Sequence, residues 1–388
     1  MQYDLVVIGA GIQGAGVAQA AAAAGYSVLV LEQTAVAAGT SSKSSKLIHG
    51  GLRYLESAQF GLVRESLRER ALLLKLAPDL VQLKPLHIPV YQNSTRSPLK
   101  IRAGLSLYAT LAGLSSSARF TSLVQSEWLQ LDGLRQDNLR AVFRYFEAQT
   151  DDAALTAAVL RSAVLLGAEV QIPARFIAAQ RSVLGCGVDY EQGGRQLSVT
   201  CRVLVNCAGP WANDVLSRIQ PALALPAVDL VQGSHLLLPP VLKQYFYLEA
   251  PQDQRAVFAL PWQGQLLVGT TETLHTETPE LAHCLPSEQE YLLQTLLHYF
   301  PDLHIPPENI KSFAGLRVLP RSEKSAFQRS RDVLLLVDEE NQPRVLSLMG
   351  GKLTTYRATA ETALARVRAS LPSKSERGDT TKLVLTPE

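Results

Sequence analysis

Cysteine is scarce in this sequence and poorly placed for joint work: Cys186, Cys201, Cys207 and Cys284 are scattered, with no CxxC pair among them. That spacing indicates neither a zinc site nor a disulfide framework, so no metal is expected, and a reducing, cytoplasmic setting is the default. Charge is thin as well. Acidic and basic residues together make up 19% of the chain, the formal net charge is +2, and no Lys/Arg run stands out as a phosphate-tracking stripe. A nucleic-acid partner is therefore not expected. No internal repeat or low-complexity segment is present. One stretch, Leu5 to Leu31, is apolar enough to be mistaken for a signal peptide or a membrane span. It has no basic flank, Asp4 stands at its start, and its glycines would break a spanning helix, so neither a targeting segment nor a transmembrane helix is expected.

What is present is apolar material: 47% of 388 residues, enough for about two domains, or for one domain with a large insertion. The opening "YDLVVIGAGIQGAGVAQAAAAAGYSVLVLEQ" changes period twice, from a short apolar run to an Ala-rich helical stretch and back, which is a β-α-β unit. Gly9, Gly11 and Gly14 fall at the strand-to-helix turn in GxGxxG spacing. Gly9 permits the tight turn, Gly11 lets backbone approach a pyrophosphate, and Gly14 lets helix and strand pack closely, with the anion on the helix N-terminus. Glu32 closes the second strand, where a carboxylate accepts from the ribose of an adenosine. That residue alone does not choose between FAD and NAD.

The next segment favours a flavin. "TSSKSSKLIHGGLRYLE", Thr40 to Glu56, crowds hydroxyls, cations and the Gly50-Gly51 amides behind the ribose-binding acid. It suits an extended cofactor whose reactive ring lies away from the pyrophosphate. A helix is expected from Phe60 to Lys75, ended by Pro78. Short apolar segments follow from Pro85 to about Tyr145, among them the basic amphipathic "LKIRAGLSLYATLAGL". It reads as a helix packed on the domain, and it is the best candidate for contact with a bilayer. A second helix from Asp152 to Gly167 feeds a strand near Val170. The buried strand Val203 to Cys207 ends at Ala208-Gly209, where a strand end opens toward a ligand. From Ala227 to about Ser330, strands punctuated by Gly and Pro read as an antiparallel sheet. Near the end, "VLSLMGGKLTTYR" runs strand, glycine pair, helix. Gly350 and Gly351 would set amides against a cofactor, flanked by Lys352, Leu353 and Thr354. Residues from about Pro372 are polar and read as a tail.

Taken together these motifs resemble the FAD-dependent glycerol-3-phosphate dehydrogenases, within the flavoproteins built like D-amino-acid oxidase. GAGIQGAG, TSSKSSKLIHGGLRYLE, DDAAL, NCAGPW, GSHLLLP, LPW, GTTE, AGLRVLP and MGGKLTTYR carry the resemblance, in family order and over nearly the whole chain. The resemblance implies an α/β fold: a Rossmann-like FAD-binding domain, discontinuous in sequence (1–75, 150–216 and 331–388), with an inserted, mostly antiparallel-sheet substrate domain (76–149 and 217–330). It implies FAD along Thr40 to Gly51, close to Ser41, Ser42, Ser45, Lys46 and Leu47, and Gly50, Val170, Ala208, Gly209 and Gly351 are expected on the cofactor as well; no His or Cys in that loop is placed for a covalent linkage, so non-covalent binding is expected. Arg53 and Tyr54 would turn into the substrate pocket, and His235, Thr270, Arg317, Arg331 and Lys352 would surround substrate and flavin. Two motifs depart mildly from the family: Glu272 stands where GTTD is common, and GLRVLP where GVRPL is more usual. Family members also commonly continue into a helical C-terminal domain, which would begin at about "TTKLVLTPE" and is not expected within these 388 residues.

The expected reaction is oxidation of sn-glycerol 3-phosphate to dihydroxyacetone phosphate, with electrons passed to a quinone or another acceptor. Arg53, Arg317, Arg331 and Lys352 are the cations suited to phosphate and developing alkoxide. His235 is the candidate base, since histidine titrates near working pH; the alternative for it is a hydrogen-bonded structural histidine. The competing functions are a flavin oxidase of another small hydroxy or amino acid, and a flavin-binding protein without turnover. A cytoplasmic location is expected, with peripheral contact at the inner face of the cytoplasmic membrane.

Overall fold

The computed structural model describes residues 2–321 and 333–387. Strand β1 (Tyr3–Ile8) is an aliphatic run buried on both faces, as a parallel strand covered on both sides must be. Helix α1 (Ile12–Ala23) is buried nearly all round, which its small alanines allow, and β2 (Val28–Leu31) returns parallel to β1. The loop behind β2 contributes a two-residue strand, β3 (Leu47–Ile48), before α2 (Phe60–Leu76).

The amphipathic helix expected here is present as α3 (Pro98–Leu111), and the short apolar segments around it become β4 (Val81–Tyr91), the brief β5 (Thr121–Ser122) and α4 (Gln125–Trp128), and the long β6 (Leu139–Thr150). Strand β4 carries Pro85 and Pro89, paired with Phe146 and Val142 of β6. Prolines four apart in a strand lack their N–H groups on the same edge, so the ladder runs through both positions. There follow α5 (Asp152–Leu165), β7 (Glu169–Gln171), β8 (Arg175–Ser182), β9 (Gly185–Gln192), β10 (Arg195–Asn206), α6 (Ala212–Ser217) and β11 (Ile219–Gln220). The remaining strands are β12 (Val228–Leu238), β13 (Tyr245–Glu249), β14 (Ala256–Trp262), β15 (Gln265–Gly269) and β16 (Thr273–His275). After α7 (Pro286–Tyr299) come β17 (Lys311–Pro320), β18 (Leu334–Val337), β19 (Val345–Met349) and α8 (Tyr356–Val367).

These strands form two mixed sheets. In the first, β7, β2, β1, β10 and β19 lie side by side and parallel, extended by the antiparallel β9 and β8 and by β18. Helices α1, α5 and α8 cover one face: Leu155 and Val159 of α5 and Tyr356 and Ala360 of α8 share one apolar cluster with α1. In the second sheet the order is β3-β6-β4-β13-β14-β15-β12-β16, with β17 on β12, and every pairing is antiparallel except β13 with β4. Helix α7 packs on it through Leu292 and Leu296, and α2 and α3 through Leu67 and Leu105. The short β3 thus ties a loop following the first sheet's β2 to the second sheet.

The polar stretch from Pro372, expected as a tail, is docked. The Arg377 and Gly378 amides donate to Ala23 O at the end of α1, Arg377 donates to Leu166 O after α5, and the Leu385 amide donates to Leu76 O at the end of α2. Leu385 is buried. Helix ends carry carbonyls without intrahelical partners, and this segment supplies donors to three of them, which polarity alone does not reveal.

Candidate active site

A cavity of about 830 Å³ runs along the seam between the two sheets. One end is made by the β1–α1 turn. Gly9 has φ +99°, and a Cβ there would stand 2.7 Å from Cys207 O; a Cβ on Gly14 would stand 1.9 Å from Gly9 O. Both positions therefore require glycine, and the turn sets the start of α1 over the carboxyl ends of β1 and β10, where open α/β sheets bind ligands. Gly11, Ile12 and Gln13 line the cavity, and Gln13 Oε1 is buried there with no hydrogen-bond partner among the described residues. Glu32 Oε2 accepts from the Ala10 amide at 2.8 Å, while its Oε1 accepts from the Thr34 amide and hydroxyl. Oε2 keeps a second lone pair for a ribose hydroxyl.

The loop from Thr40 to Gly51 forms the middle of the cavity wall and is pinned at each step. The Thr40 hydroxyl donates to Leu316 O of β17 at 2.7 Å, and Ser41 Oγ accepts from the Ile12 amide at 2.9 Å. Asp152, the first residue of α5, where the helix dipole favours a carboxylate, accepts from the Ser44 amide and hydroxyl. Its other oxygen accepts from Lys46 Nζ at 2.6 Å, and the same ammonium donates to Ser42 O. Lys46 also stands over the rings of Trp262 and Phe313. The Gly50 amide donates to the Tyr108 hydroxyl at 2.9 Å, and that hydroxyl donates to Glu147, which also holds Arg70. Burial pushes the Glu147 carboxyl above its usual range, even though Arg70 and Tyr108 favour its charged form.

At the far end, His235 of β12 is 2% exposed, stacks on Phe313 with centroids 5.0 Å apart, and places Nε2 2.8 Å from Ser45 Oγ. Its Nδ1 is buried with no hydrogen-bond partner among the described residues. Burial, and then the charges of Arg317 and Lys46, push its pKa down to about 3, so the ring is neutral at physiological pH. Arg317 of β17 donates through Nη2 to Thr270 Oγ1 and through Nη1 to Glu272, both at 3.2 Å. Two cations stand against the Tyr54 ring: Lys352 Nζ is 4.2 Å from its centroid and the Arg53 guanidinium 5.1 Å. Thr354 Oγ1 accepts from the His49 amide, hooking the β19–α8 segment to the loop.

Of the residues singled out in the sequence, Gly9, Gly11, Glu32, Thr40, Ser41, Ser45, Leu47, Arg53, Tyr54, Ala208, Gly209, His235, Thr270, Arg317, Gly351, Lys352, Leu353 and Thr354 line this one cavity. Gly14, Ser42, Lys46 and Gly50 stand behind its wall, packing or bracing it as described. Val170 pairs with Val30 and packs against the apolar cluster under the first sheet, away from the cavity lining. Arg331 lies outside the described residues. Sequence reasoning passed over Gln13, Glu147 and Asp152. The run Asp151-Asp152-Ala-Ala is legible as a helix start, but nothing in it announces a lysine partner more than a hundred residues earlier.

The wall fits FAD: amides at a helix N-terminus for a pyrophosphate, a carboxylate for a ribose, and an orphaned Gln13 oxygen for a hydroxyl donor, all continuous with a cation-lined far end. Comparison with known proteins agrees. The sequence model of the family described as FAD dependent oxidoreductase matches residues 4–357. A glycerol-3-phosphate dehydrogenase of Pseudomonas aeruginosa is 37% identical over 376 residues, 94% of this chain and 72% of that protein. An aerobic glycerol-3-phosphate dehydrogenase of Escherichia coli is 36% identical over 375 residues, 94% of this chain and 73% of that one. Among solved structures, the glycerol-3-phosphate dehydrogenase of Bacillus halodurans complexed with FAD superposes with a TM-score of 0.78 at 25% identity, over 99% of this chain and 68% of that chain.

Proposed function

Because the chain belongs to the family of FAD-dependent oxidoreductases, we propose that it oxidises sn-glycerol 3-phosphate to dihydroxyacetone phosphate, with electrons passed on to a quinone. One observation carries the reading: Arg53, Arg317 and Lys352 line the same cavity as His235, with Arg317 close enough to act on the imidazole, Glu272 linking Arg317 to Arg53, and Lys352 and Arg53 both against the Tyr54 ring. A phosphate dianion asks for several cations in one place, and guanidinium forks are matched to its oxygens. Bound FAD supplies the hydride acceptor; the chain must orient the alcohol and take its proton. His235 offers that base. Its neutral ring keeps a lone pair, and its weak basicity arises partly from the Arg317 charge. A phosphate on Arg317 offsets that charge and raises the basicity when substrate is present.

Peripheral membrane contact goes with a quinone acceptor. Helix α3 supports it by exposing Leu99 and Leu107 beside Lys100 and Arg102, with Leu114 just beyond, an apolar and basic face of the kind that lies at a bilayer surface. Among the described residues no helix is long and apolar enough to cross a membrane.

The test is anaerobic. The visible flavin spectrum of the purified protein is recorded before and after addition of glycerol 3-phosphate, with glycerol and lactate as comparisons. Bleaching by the phosphate ester alone is expected; a flavin that none of them bleaches overturns the assigned substrate.

A further inference from the structure

Glu288 lies in the first turn of α7, is buried, and is not part of the cavity wall. Its carboxylate nevertheless collects five hydrogen bonds, all from neutral donors. Oε1 accepts from the Thr271 and Thr273 hydroxyls at 2.7 and 2.8 Å. Oε2 accepts from Gln232 Nε2 and Ser234 Oγ, both at 2.7 Å, and from the Leu285 amide at 3.0 Å. Burial pushes the carboxyl up, but these donors together hold it below its usual range, so it is ionised.

The donors alternate with the residues that face the cavity. Successive side chains of a strand point to opposite faces. On β12, Gln232 and Ser234 turn to Glu288, while Gly233 and His235 line the cavity. In the segment after β15, Thr271 and Thr273 turn to Glu288, while Thr270 and Glu272 hold Arg317. Two further hydrogen bonds join these pieces back to back, Ser234 N to Thr271 Oγ1 and Thr271 N to Ser234 O. The front tolerates little displacement. A Cβ on Gly233 would stand 2.3 Å from Arg317 Nη2, and one on Gly269 would stand 2.1 Å from the His235 ring, so guanidinium and imidazole both rest directly on backbone.

We propose that Glu288 is a positioning residue: by gripping β12 and the 271–273 segment from behind, it sets the relative placement of His235 and the Arg317 fork on the substrate side. This rests on the reading of those two residues as substrate-facing. A solely structural role predicts lost stability with normal chemistry; a positioning role predicts lost chemistry that depends on Arg317.

The experiment measures flavin reduction by glycerol 3-phosphate in anaerobic stopped flow for the FAD-loaded wild type, Glu288→Gln, Arg317→Ala and the double variant, with FAD stoichiometry and melting temperature alongside. Glu288→Gln keeps the shape but brings an amide donor to a site that needs acceptors. Its limiting reduction rate is expected to fall about tenfold or more with FAD fully bound, the effect of losing charge-assisted hydrogen bonds. In the Arg317→Ala background the same change is expected to cost less than about twofold, the non-additivity of residues acting as one unit. Wild-type rates in Glu288→Gln, or equal losses in both backgrounds, overturn the proposal. Should Glu288→Gln fail to fold, Thr273→Val removes one of the five bonds and is read in the same cycle. A wild-type protein that glycerol 3-phosphate does not bleach instead sinks the substrate reading, which keeps the two failures distinct.

Discussion

The imidazole of His235 and the hydroxyl of Ser45 stand 2.8 Å apart across the cavity, one on a strand of the second sheet and the other on the loop that follows the first sheet's β2. Burial and two nearby cations hold this imidazole neutral down to about pH 3, whereas in the unfolded chain it takes up a proton near pH 6.5. Between those values the unfolded state binds more protons than the folded state, so the contribution of His235 to stability is complete above pH 6.5 and is lost progressively as pH falls toward 3. His235→Asn abolishes that dependence. Melting temperatures of wild type and variant, followed from pH 8 to pH 4, are expected to converge or cross on acidification; parallel curves refute a buried neutral histidine.

Arg317 is expected to act on the substrate and not on the cofactor. Arg317→Ala should retain a full complement of FAD while the efficiency of flavin reduction by glycerol 3-phosphate falls by about ten- to a hundredfold, the range for a lost hydrogen bond to a charged group. Unchanged reduction kinetics remove it from the site.

Asp152 anchors the loop through Lys46 and Ser44. Asp152→Ala strands a buried ammonium, and breaking such a pair from one side costs about 3–5 kcal/mol. Denaturant melts of the FAD-free protein read that loss directly. Because the same carboxylate positions the cavity wall, FAD should also dissociate more readily from the variant, seen as recovery of free-flavin fluorescence.

Gly9→Ala places a methyl group against Cys207 O at a backbone angle that side chains rarely adopt. The purified variant is expected to be colourless or nearly so. A yellow protein with normal FAD stoichiometry contradicts the close approach of β1 and β10 at this turn.

The docked C-terminal stretch has its own signature. Leu385→Ala should cost about 2–5 kcal/mol, as for other buried leucines, with little change in the flavin spectrum, since its contacts are with the helix layer. A cost near zero means that the stretch rests on the surface without adding to stability.

The part of this molecule legible in its sequence is the part governed by local rules. Gly9, Gly14 and the two periods around them specify a strand, a turn and a helix without reference to anything distant, and the place of Glu32 at the end of β2, beside that turn, follows from the same spacing. The hairpin of β9 and β10 is equally local, turning at Gly193-Gly194 with both glycines at positive φ, yet sequence reasoning passed over it. Other features depend on partners far along the chain. Pro85 and Pro89 argue against a strand until β6 is known to lie beside them. Asp152 reads as an ordinary helix start until Lys46 arrives, and Arg377 as part of a polar tail until the ends of α1 and α5 are in place. Glu288 reads at most as an acid in a helix's first turn that accepts from the Leu285 amide, because its four other donors come from two separate segments of the second sheet.

The loop from Thr40 to Gly51 has footholds in both sheets: Ser41 on the start of α1, Leu47 and Ile48 in the ladder with β6, and Thr40 on β17. The first of these is nearly local, 29 residues apart, but the other two wait until chain separated by roughly a hundred and by 276 residues has come together, and contacts of such separation are slow to form because closing large loops is entropically costly. The cofactor wall is therefore expected to order fully only once β6 and β17 are in place. A fragment ending after Gly51 holds only the Ser41 foothold on α1 and lacks the strands that support Thr40, Leu47 and Ile48, so uptake of FAD is expected to report the joining of both sheets and not the first β-α-β unit alone.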